Sequence, residues 1–329
     1  MAKKVITFGE IMLRLAPEGY YRFVQADTFG ATYGGGEANV AVSLANYGFD
    51  AKFVTKLPKH EIGQAAINSL RKYGVDTTDI VRGGDRVGIY FLEKGASQRP
   101  SKVIYDRAGS SIYTASKEDF NWKEIFEGAE WFHFTGITPA LNDNVAEICL
   151  EACKAAKEMN VKISCDLNYR NKLWSKEKAG QVMGEICKYV DVCIANDEDF
   201  ESSLGIPAYD GDMSRGIEQI ESYKEGMLEI QKQFPNCKAV ASVLRNLYTV
   251  EDGDWMGIYL KDGKFYESPV HKVHSFEAVG AGDAFGAGLI HAMLHDFEPQ
   301  KAIDFAISAS VLKLMIQHDA NVASETEIE

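Results

Sequence analysis

The chain has 329 residues, of which 46% are hydrophobic and 25% are charged, and its formal net charge is −13. This size and composition allow one large α/β domain or two smaller ones with a substantial core. The negative charge argues against a binding surface for nucleic acid or anionic membranes, and no apolar stretch approaches the ~20 residues that cross a bilayer. The six cysteines include no Cys-x-x-Cys pair, so we expect reduced core cysteines in a cytoplasmic protein.

Short apolar runs alternate with segments of helical period along most of the chain. The predicted strands are residues 5–8, 51–55, 131–135, 161–165, 192–195 and 238–243. The predicted helices are residues 37–47, 62–73, 144–159 and 176–189, with a last one at about 299–317. Gly48 and Gly74 stand where C-terminal helix caps are expected. This alternation predicts an α/β fold with a doubly wound, mostly parallel sheet.

Four stretches of the chain depart from the alternation. Residues 11–16 continue the first strand with an alternating pattern, and residues 86–93 and 102–107 form two strand-like runs. These two runs predict a hairpin outside the main sheet. Residues 209–225 are polar and charged, and they predict a surface insertion that runs into a helix ending near Phe234.

Residues 279–288, Val-Gly-Ala-Gly-Asp-Ala-Phe-Gly-Ala-Gly, place two glycines before an acid and an apolar helical pattern after it. We expect a helix beginning near Asp283, whose unpaired N–H groups and macrodipole favour an anion. Gly280 and Gly282 would let a phosphate approach the backbone. Asp283 itself either caps the helix or takes a proton from a hydroxyl that attacks a phosphoryl group.

This motif resembles the C-terminal signature of the ribokinase-like (PfkB) family of carbohydrate kinases. A counterpart of the family's N-terminal signature, Gly-Gly-Gly-Glu-Ala-Asn-Val-Ala, occupies residues 34–41. The resemblance covers essentially the whole chain. It implies a single kinase domain, residues 1–329, built as an α/β/α sandwich with a small β-sheet lid from about residues 11–33 and 86–110.

The resemblance also implies roles for particular residues. Asp283 would be the catalytic base, beside an anion hole for the ATP phosphates formed by Gly280, Ala281 and Gly282. The residues expected to bind the sugar are Gly34, Gly35, Gly36, Asn39, Tyr90, Tyr105, Arg107, Arg170 and Asp283. The residues expected to contact ATP are Asn168, Asn196, Leu244 and Arg245, and Asp199 would reach Mg²⁺ through water.

Several of these segments also have plainer interpretations. The glycines at 34–36 could form a flexible turn, although three in succession cost more ordering entropy than a turn needs. Residues 166–170 could be a helix cap followed by a surface arginine, and residues 196–199 an acidic helix start. The chain departs from the usual family residues at Asp199 (usually Glu), Glu277 (usually Asp), Ala278 (usually Thr) and His318 (usually Gly).

The residues of the predicted lid indicate which sugar the chain would bind. Residues 99–111, with Tyr-Asp-Arg at 105–107, resemble the lid of those family members that phosphorylate 2-keto-3-deoxygluconate, and Tyr90 matches them too. That sugar acid carries a carboxylate, which favours guanidinium partners such as Arg107 and Arg170. The plainer alternative is that Arg107 is a surface residue paired with Asp106 or Glu93.

The resemblance therefore implies transfer of the γ-phosphoryl group of ATP, with Mg²⁺, to the C6 hydroxyl of 2-keto-3-deoxygluconate. The expected partners are the sugar acid and ATP, with no nucleic acid or membrane, and an apolar lid face could support a homo-oligomer. Two alternatives remain at this point. One is a kinase for a neutral sugar such as fructose or ribose, and the other is a sugar or nucleotide sensor without turnover on the same fold.

Overall fold

The computed structural model describes residues 2–329. Its strands are β1 (Lys4–Phe8), β2 (Met12–Ala16), β3 (Gly30–Gly34), β4 (Asp50–Val54), β5 (Lys56–Leu57), β6 (Val81–Arg82), β7 (Gly88–Glu93), β8 (Lys102–Asp106), β9 (Ala129–Thr135), β10 (Lys162–Asp166), β11 (Val192–Ile194), β12 (Ala239–Leu247), β13 (Asp252–Lys261), β14 (Lys264–Glu267) and β15 (His271–His274). Its α-helices are α1 (Gly36–Asn46), α2 (Glu61–Arg71), α3 (Trp122–Ile125), α4 (Asp143–Glu158), α5 (Lys176–Ile186), α6 (Asp199–Leu204), α7 (Ile220–Gln233), α8 (Ala281–Leu294), α9 (Pro299–Lys313) and α10 (Glu325–Ile328). Short 3₁₀ turns lie between several of these elements.

The main sheet runs in the order β14-β13-β12-β11-β10-β9-β1-β4, and β15 also pairs with β13. The strands β4, β1, β9, β10, β11 and β12 are parallel to one another, and β13, β14 and β15 add an antiparallel edge. Ile6 and Phe8 of β1 pack in the core that holds α4, α5 and α7, whereas Val5 packs in the core with α1, α8 and α9. Helices therefore cover both faces, and the predicted doubly wound fold is confirmed.

A second sheet, which we call the lid sheet, has the strand order β3-β2-β7-β8. The β7–β8 hairpin is the one predicted outside the main sheet. Residues 11–16 do not extend β1 as the sequence suggested. They form β2, which pairs with β3 and β7, because the chain leaves the main sheet after Phe8. This small sheet stands beside the carboxyl ends of the parallel strands and resembles the lid implied by the sequence.

The predicted elements lie close to the observed ones, and the differences concentrate at the edge of the main sheet. Gly48 and Gly74 have φ of 86° and 81°, the left-handed conformation expected after a helix. The strands β13, β14 and β15 were not predicted; β14 and β15 are short and carry several polar residues, whereas residues 255–260 of β13 form an apolar run that was missed. The described cysteines are free and buried. Within residues 2–329, no helix combines the length and apolarity that crossing a membrane requires.

Candidate active site

One cavity of about 880 Å³ opens between the lid sheet and the carboxyl ends of the parallel strands. The predicted site residues that line it are Gly34, Gly35, Gly36, Asn39, Tyr90, Tyr105, Arg107, Asn168, Arg170, Asn196, Asp199, Arg245, Gly280, Ala281, Gly282 and Asp283. The side chain of Leu244, by contrast, is fully buried in the core below the cavity. The fold thus brings together segments from the whole length of the chain.

The loop before α8 has the geometry of an anion site. Gly280 caps the helix with φ 85°, and a Cβ there would lie 2.1 Å from the carbonyl oxygen of Asp319, so only glycine fits. The N–H of Ala281 donates a long bond, 3.3 Å, to Ala278. Within residues 2–329, the N–H of Gly282 has no hydrogen-bond partner. Nothing lies within 4 Å of a Cβ at Gly282, so this residue faces open space in the cavity.

Gly282→Val should weaken ATP binding roughly tenfold or more, because a branched side chain would occupy the approach to unpaired backbone donors. The folded protein has room for the new side chain, so stability should change little. Gly180→Val is the matched control, since Gly180 is a helical glycine of α5 with equally open surroundings, away from the cavity. Calorimetry measures both variants, and unchanged ATP affinity in folded Gly282→Val would contradict an anion site here.

Asp283 lies in the first turn of α8, and its side chain does not cap the helix. Its Oδ2 accepts a hydrogen bond of 2.7 Å from Nδ2 of Asn39. Burial raises the pKa of Asp283 to about 6; the Asn39 hydrogen bond lowers the pKa, Asp319 raises it, and Arg170 and Lys313 lower it. The group is therefore mainly a carboxylate at neutral pH, yet its pKa is close enough to neutrality for a general base.

The raised pKa of Asp283 predicts that the rate falls on the acidic side of its pH profile, which we call the acid limb. If Asp283 must be ionised, kcat/KM should fall about tenfold per pH unit below pH ~6. Asn39→Ala removes the hydrogen bond that favours the carboxylate, so the limb should move to higher pH. Asn46→Ala, on the same helix but bonded to the carbonyl of Asn321, should leave the limb in place. A limb that stays unmoved in Asn39→Ala would exclude Asp283 as its origin.

The three glycines at 34–36 serve close approach rather than flexibility. The first ends β3 and the third begins α1. A Cβ on the first would lie 2.1 Å from Oδ2 of Asp319, and one on the second 2.0 Å from the carbonyl oxygen of Glu10. A Cβ on the third would lie 3.4 Å from Oδ1 of Asp283. The third glycine therefore brings backbone close to Asp283, where a polyol could reach it, and the first two let the backbone pass close to Asp319 and Glu10.

The side chain of Arg107, which follows β8 of the lid sheet, is bound by the buried carboxylate of Glu10. Its Nε and Nη2 both donate to Oε2 of Glu10, the former at 2.8 Å, and Ser110 donates to Oε1 at 2.7 Å. Glu10 is 3% exposed, and the guanidinium lies 5.4 Å from the centre of the Tyr105 ring. Glu10 occupies one edge of the guanidinium, and in the described part of the chain Nη1 has no partner. That edge remains available for a ligand.

The plainer alternative for Arg107 is not what the structure shows. Asp106 pairs with Arg86, and Glu93 pairs with Arg99 and Arg22. Glu10 was not predicted as the partner of Arg107. The available signal was an acidic residue two positions after the buried apolar run of β1, where a parallel strand ends.

Two acids line the cavity at the ends of β10 and β11: Asp166 is the last residue of β10, and Asp199 begins α6 after β11. Asp199 accepts backbone hydrogen bonds from Tyr169 at 2.7 Å and Asn196 at 3.0 Å, and so ties the loops after β10 and β11 together. Asp166 is 4% exposed, and its Oδ1 has no hydrogen-bond partner among the described residues. Arg170 donates to the carbonyl of Tyr169 at 2.9 Å and forms no ion pair within residues 2–329. Burial raises the pKa of Asp166 well above its usual value, as nearby Asp199 does.

The side of the cavity that Asn196 and Arg245 line contains an ion pair. Arg245 donates to Asp197, and its guanidinium lies 5.9 Å from the Trp255 ring centre. The side-chain oxygen of Asn196 accepts from the N–H of Val243 at 2.8 Å, which leaves its amide nitrogen for other partners. The Arg245 guanidinium thus borders the cavity, and the Asp197 carboxylate already balances its charge.

A buried network links the lid sheet to residues 279–282 at the start of α8, which we call the anion loop. Arg14 of β2 donates to Glu277 at 2.6 Å and to Asp319 at 2.8 Å, and Tyr90 donates to the other oxygen of Asp319. The side chains of Arg14, Glu277 and Asp319 are all less than one-tenth exposed. Of these residues, only Glu277 was singled out from the sequence, and Arg14 was missed. An arginine among the apolar residues of a predicted strand was the available signal.

Glu37 is a further buried acid that the sequence analysis left out of the site. Its Oε1 accepts from the N–H and hydroxyl of Thr135, both at 2.9 Å, and from the hydroxyl of Thr138 at 2.6 Å. Burial raises the pKa of Glu37 to about 7, against the effect of these bonds. It fixes the start of α1 to the end of β9, and so sets the position of Asn39.

The chain is similar over almost its whole length to known kinases of sugars and sugar acids. The family model described as "pfkB family carbohydrate kinase" matches residues 2–321. A 2-dehydro-3-deoxygalactonokinase of Haloferax volcanii is 31% identical over 331 residues, covering 100% of this chain and 96% of that protein. The crystal structure of 2-dehydro-3-deoxygluconokinase from Thermotoga maritima has a TM-score of 0.94 and 49% identity, covering 99% and 98% of the two chains. A putative 2-keto-3-deoxygluconate kinase from Enterococcus faecalis gives a TM-score of 0.87 at 25% identity, covering 99% and 95%.

Proposed function

Because the chain belongs to the pfkB family of carbohydrate kinases, we propose that it phosphorylates the C6 hydroxyl of 2-keto-3-deoxygluconate with ATP. This compound is the 2-dehydro-3-deoxygluconate for which the Thermotoga maritima relative, 49% identical, is named. The products are the 6-phosphate of the sugar acid and ADP. One observation carries the proposal: two arginines, Arg107 and Arg170, share a cavity with Asp283 and the anion loop.

The chemistry needs a base, an anion site and alignment. Asp283 accepts the proton of the C6 hydroxyl as the oxygen attacks the γ-phosphorus. The new O–P bond forms while the bond from the γ-phosphorus to the bridging β–γ oxygen breaks, and ADP leaves with that electron pair. The N–H groups of the anion loop, above all that of Gly282, stabilise the charge on the phosphoryl oxygens. Asn39 holds the Asp283 carboxylate in one orientation.

The loops after β10 and β11 fit a hydrated Mg²⁺. Within residues 2–329, no group of three or more His, Cys, Asp or Glu residues is arranged to enclose a metal. Mg²⁺ suits such a place, since it keeps several waters and is often held by one or two carboxylates and by phosphates. Asp166 offers a buried oxygen without a partner, and Asp199 would act through water. When bound, Mg²⁺ would neutralise charge on the ATP phosphates.

The carboxylate of the substrate distinguishes this proposal from a neutral-sugar kinase. In a chain of net charge −13, an anionic sugar needs local positive charge. Arg170 has no acidic partner in the described chain, and Arg107 keeps Nη1 unpaired beside the cavity. Fructose or ribose would leave both guanidinium groups without a carboxylate. The intact Asp283 and anion loop also favour turnover over a sensing role.

Coupled ADP-release assays over acidic and neutral sugars test the proposal. We expect turnover on 2-keto-3-deoxygluconate, or on its galactonate-derived epimer, the acid for which the Haloferax volcanii relative is named, and much slower turnover on fructose and ribose. Outright preference for a neutral sugar would overturn the substrate. ATP and sugar binding without ADP release would instead favour a sensor. We propose that the reaction takes place in the cytoplasm, where ATP is supplied, and that copies of the chain assemble through the lid sheet.

A further inference from the structure

Lys313 is a buried lysine that the mechanism above does not use. It is the last residue of α9, and its exposed fraction is 0%. Its ammonium donates to the carbonyl oxygen of Ile316 at 3.0 Å, and this is its one hydrogen bond within residues 2–329. A buried ammonium normally needs paired acids or several acceptors, because removing its charge from water is costly. The surroundings of Lys313 should therefore show what the charge is for.

Lys313 lies directly beneath the anion loop. A Cβ on Gly280 would be 3.2 Å from Cε of Lys313, so the backbone of this loop rests on the lysine side chain. The N–H groups of Phe276 and Glu277 donate to the carbonyl oxygen of Leu314, at 2.7 and 3.0 Å. The segment that leads into the anion loop is thus anchored on the residue next to Lys313.

The charges around Lys313 come from four parts of the fold. The acids are Glu277 before the anion loop, Asp283 of α8 and Asp319 after α9. The bases are Arg14 of β2 and His318 after α9, and burial lowers the pKa of His318. Without the ammonium, three carboxylates would face one guanidinium below the phosphate site. Such an excess of negative charge would oppose ATP, whose phosphates must reach the same loop.

We propose that Lys313 is a positioning residue for phosphoryl transfer, whose ammonium supports the anion loop from below and offsets the acids around it. The inference rests on the proposed function, because it concerns the same anion site. Lys313 does not line the cavity, so it acts through Gly280 and the loop rather than on substrate. Its charge is also needed in a second way, since it favours the ionised form of Asp283.

The burial of Lys313 limits the pH range over which it carries charge. Burial lowers its pKa to about 8; Glu277, Asp319 and Asp283 raise the pKa, and Arg14 lowers it. A lysine is charged below its pKa, so the support for the loop should be lost as pH rises through ~8. We expect kcat/KM for ATP, which reports the free enzyme, to fall on the alkaline side at about that pH.

Lys313→Met and Lys313→Arg test the inference against the wild type. Lys313→Met should lose roughly tenfold in kcat/KM for ATP, less than the 10²–10³-fold that a direct donor of an anion hole provides. Its KM for the sugar acid should change little, and the alkaline limb near pH 8 should vanish. Lys313→Arg should regain activity and keep it beyond pH 9, because guanidinium does not titrate there. Thermal unfolding checks that both variants are folded.

The outcomes separate this inference from the proposed function. A wild type that phosphorylates no sugar would overturn the proposed function itself. A wild type that turns over the sugar acid with no alkaline limb below pH 9 would overturn the role of Lys313, and this test needs no variant to fold. Folded Lys313→Met with wild-type activity, or with an unchanged limb, would overturn it equally. Loss of the limb in Lys313→Met together with its shift in Lys313→Arg would support it.

Discussion

Asp283→Asn is expected to lower kcat by 10²–10⁴-fold, the usual contribution of a positioned general base. The amide has nearly the same shape, and it can still accept the hydrogen bond from Asn39. It cannot take the proton of the attacking hydroxyl. ATP affinity should hold or improve, because a negative charge beside the phosphates is removed. Single-turnover kinetics with 2-keto-3-deoxygluconate and ATP measures the loss on the chemical step.

The stability of Asp283→Asn supplies the control. The pKa of Asp283 is raised to about 6 in the folded protein, so above pH 6 its ionisation opposes folding, by up to about 3 kcal/mol. The variant should therefore melt at a higher temperature than the wild type at pH 7.5, and the gain should shrink as pH falls from ~6 to ~4. A folded variant with turnover within about threefold of the wild type would exclude Asp283 as the base.

The parallel sheet could be predicted because its strands carry their own signal. Val5, Ile6 and Phe8 of β1 are all fully buried, so the sequence shows a continuous apolar run rather than alternation. The same holds for the strands that end at the cavity, and their order along the chain fixes which loops meet there. The glycine motifs before α1 and α8 then marked the two loops that face each other.

The partners of the charged residues could not be predicted, because they depend on long-range packing. Arg14 and Asp319 lie 305 positions apart, and Arg107 and Glu10 lie 97 apart. No local pattern in the sequence links them. The neighbouring acid Asp106 was the plausible partner for Arg107 by distance along the chain. In the structure, strand alternation turns Asp106 outward to Arg86 and leaves Arg107 facing the cavity.

Local residue patterns also failed at the edge of the main sheet. The sequence predicts a strand that ends at residue 243, yet β12 continues to Leu247 and pairs with β13 throughout. Cross-strand pairing, which the sequence does not display, stabilises these residues. This is where Leu244 becomes a core residue, whereas Arg245, on the opposite face of the same strand, borders the cavity.

Arg107→Ala is expected to lower kcat/KM for 2-keto-3-deoxygluconate by roughly 10- to 150-fold. A hydrogen bond to a charged group contributes about 1.5–3 kcal/mol, and each 1.4 kcal/mol corresponds to a factor of ten. Most of the effect should appear in KM, because the carboxylate is bound before and during the reaction alike. Activity on fructose, however slow, should change far less, since it has no carboxylate to lose as a partner.

The partner of Arg107, Glu10, adds a second effect to Arg107→Ala, and a double variant separates the two effects. Arg107→Ala leaves the Glu10 carboxylate, 3% exposed, without its cation, and that charge would repel the substrate acid. The double variant Glu10→Gln with Arg107→Ala removes the repulsion. It should recover part of the activity on the sugar acid but remain well below the wild type. The difference between the two variants measures repulsion, and the remaining loss measures recognition of the carboxylate.

Arg86→Ala provides the matched control on the same lid sheet. Arg86 pairs with Asp106 at 2.9 Å on the outer side and does not line the cavity, so its loss should leave discrimination between acid and neutral sugars unchanged. The decisive quantity is the ratio of kcat/KM for the acid to that for fructose. If Arg107→Ala lowers both by the same factor, the ratio stays constant, and Arg107 supports lid closure rather than reading the carboxylate. A ratio that falls in Arg107→Ala alone assigns the carboxylate to its unpaired guanidinium edge.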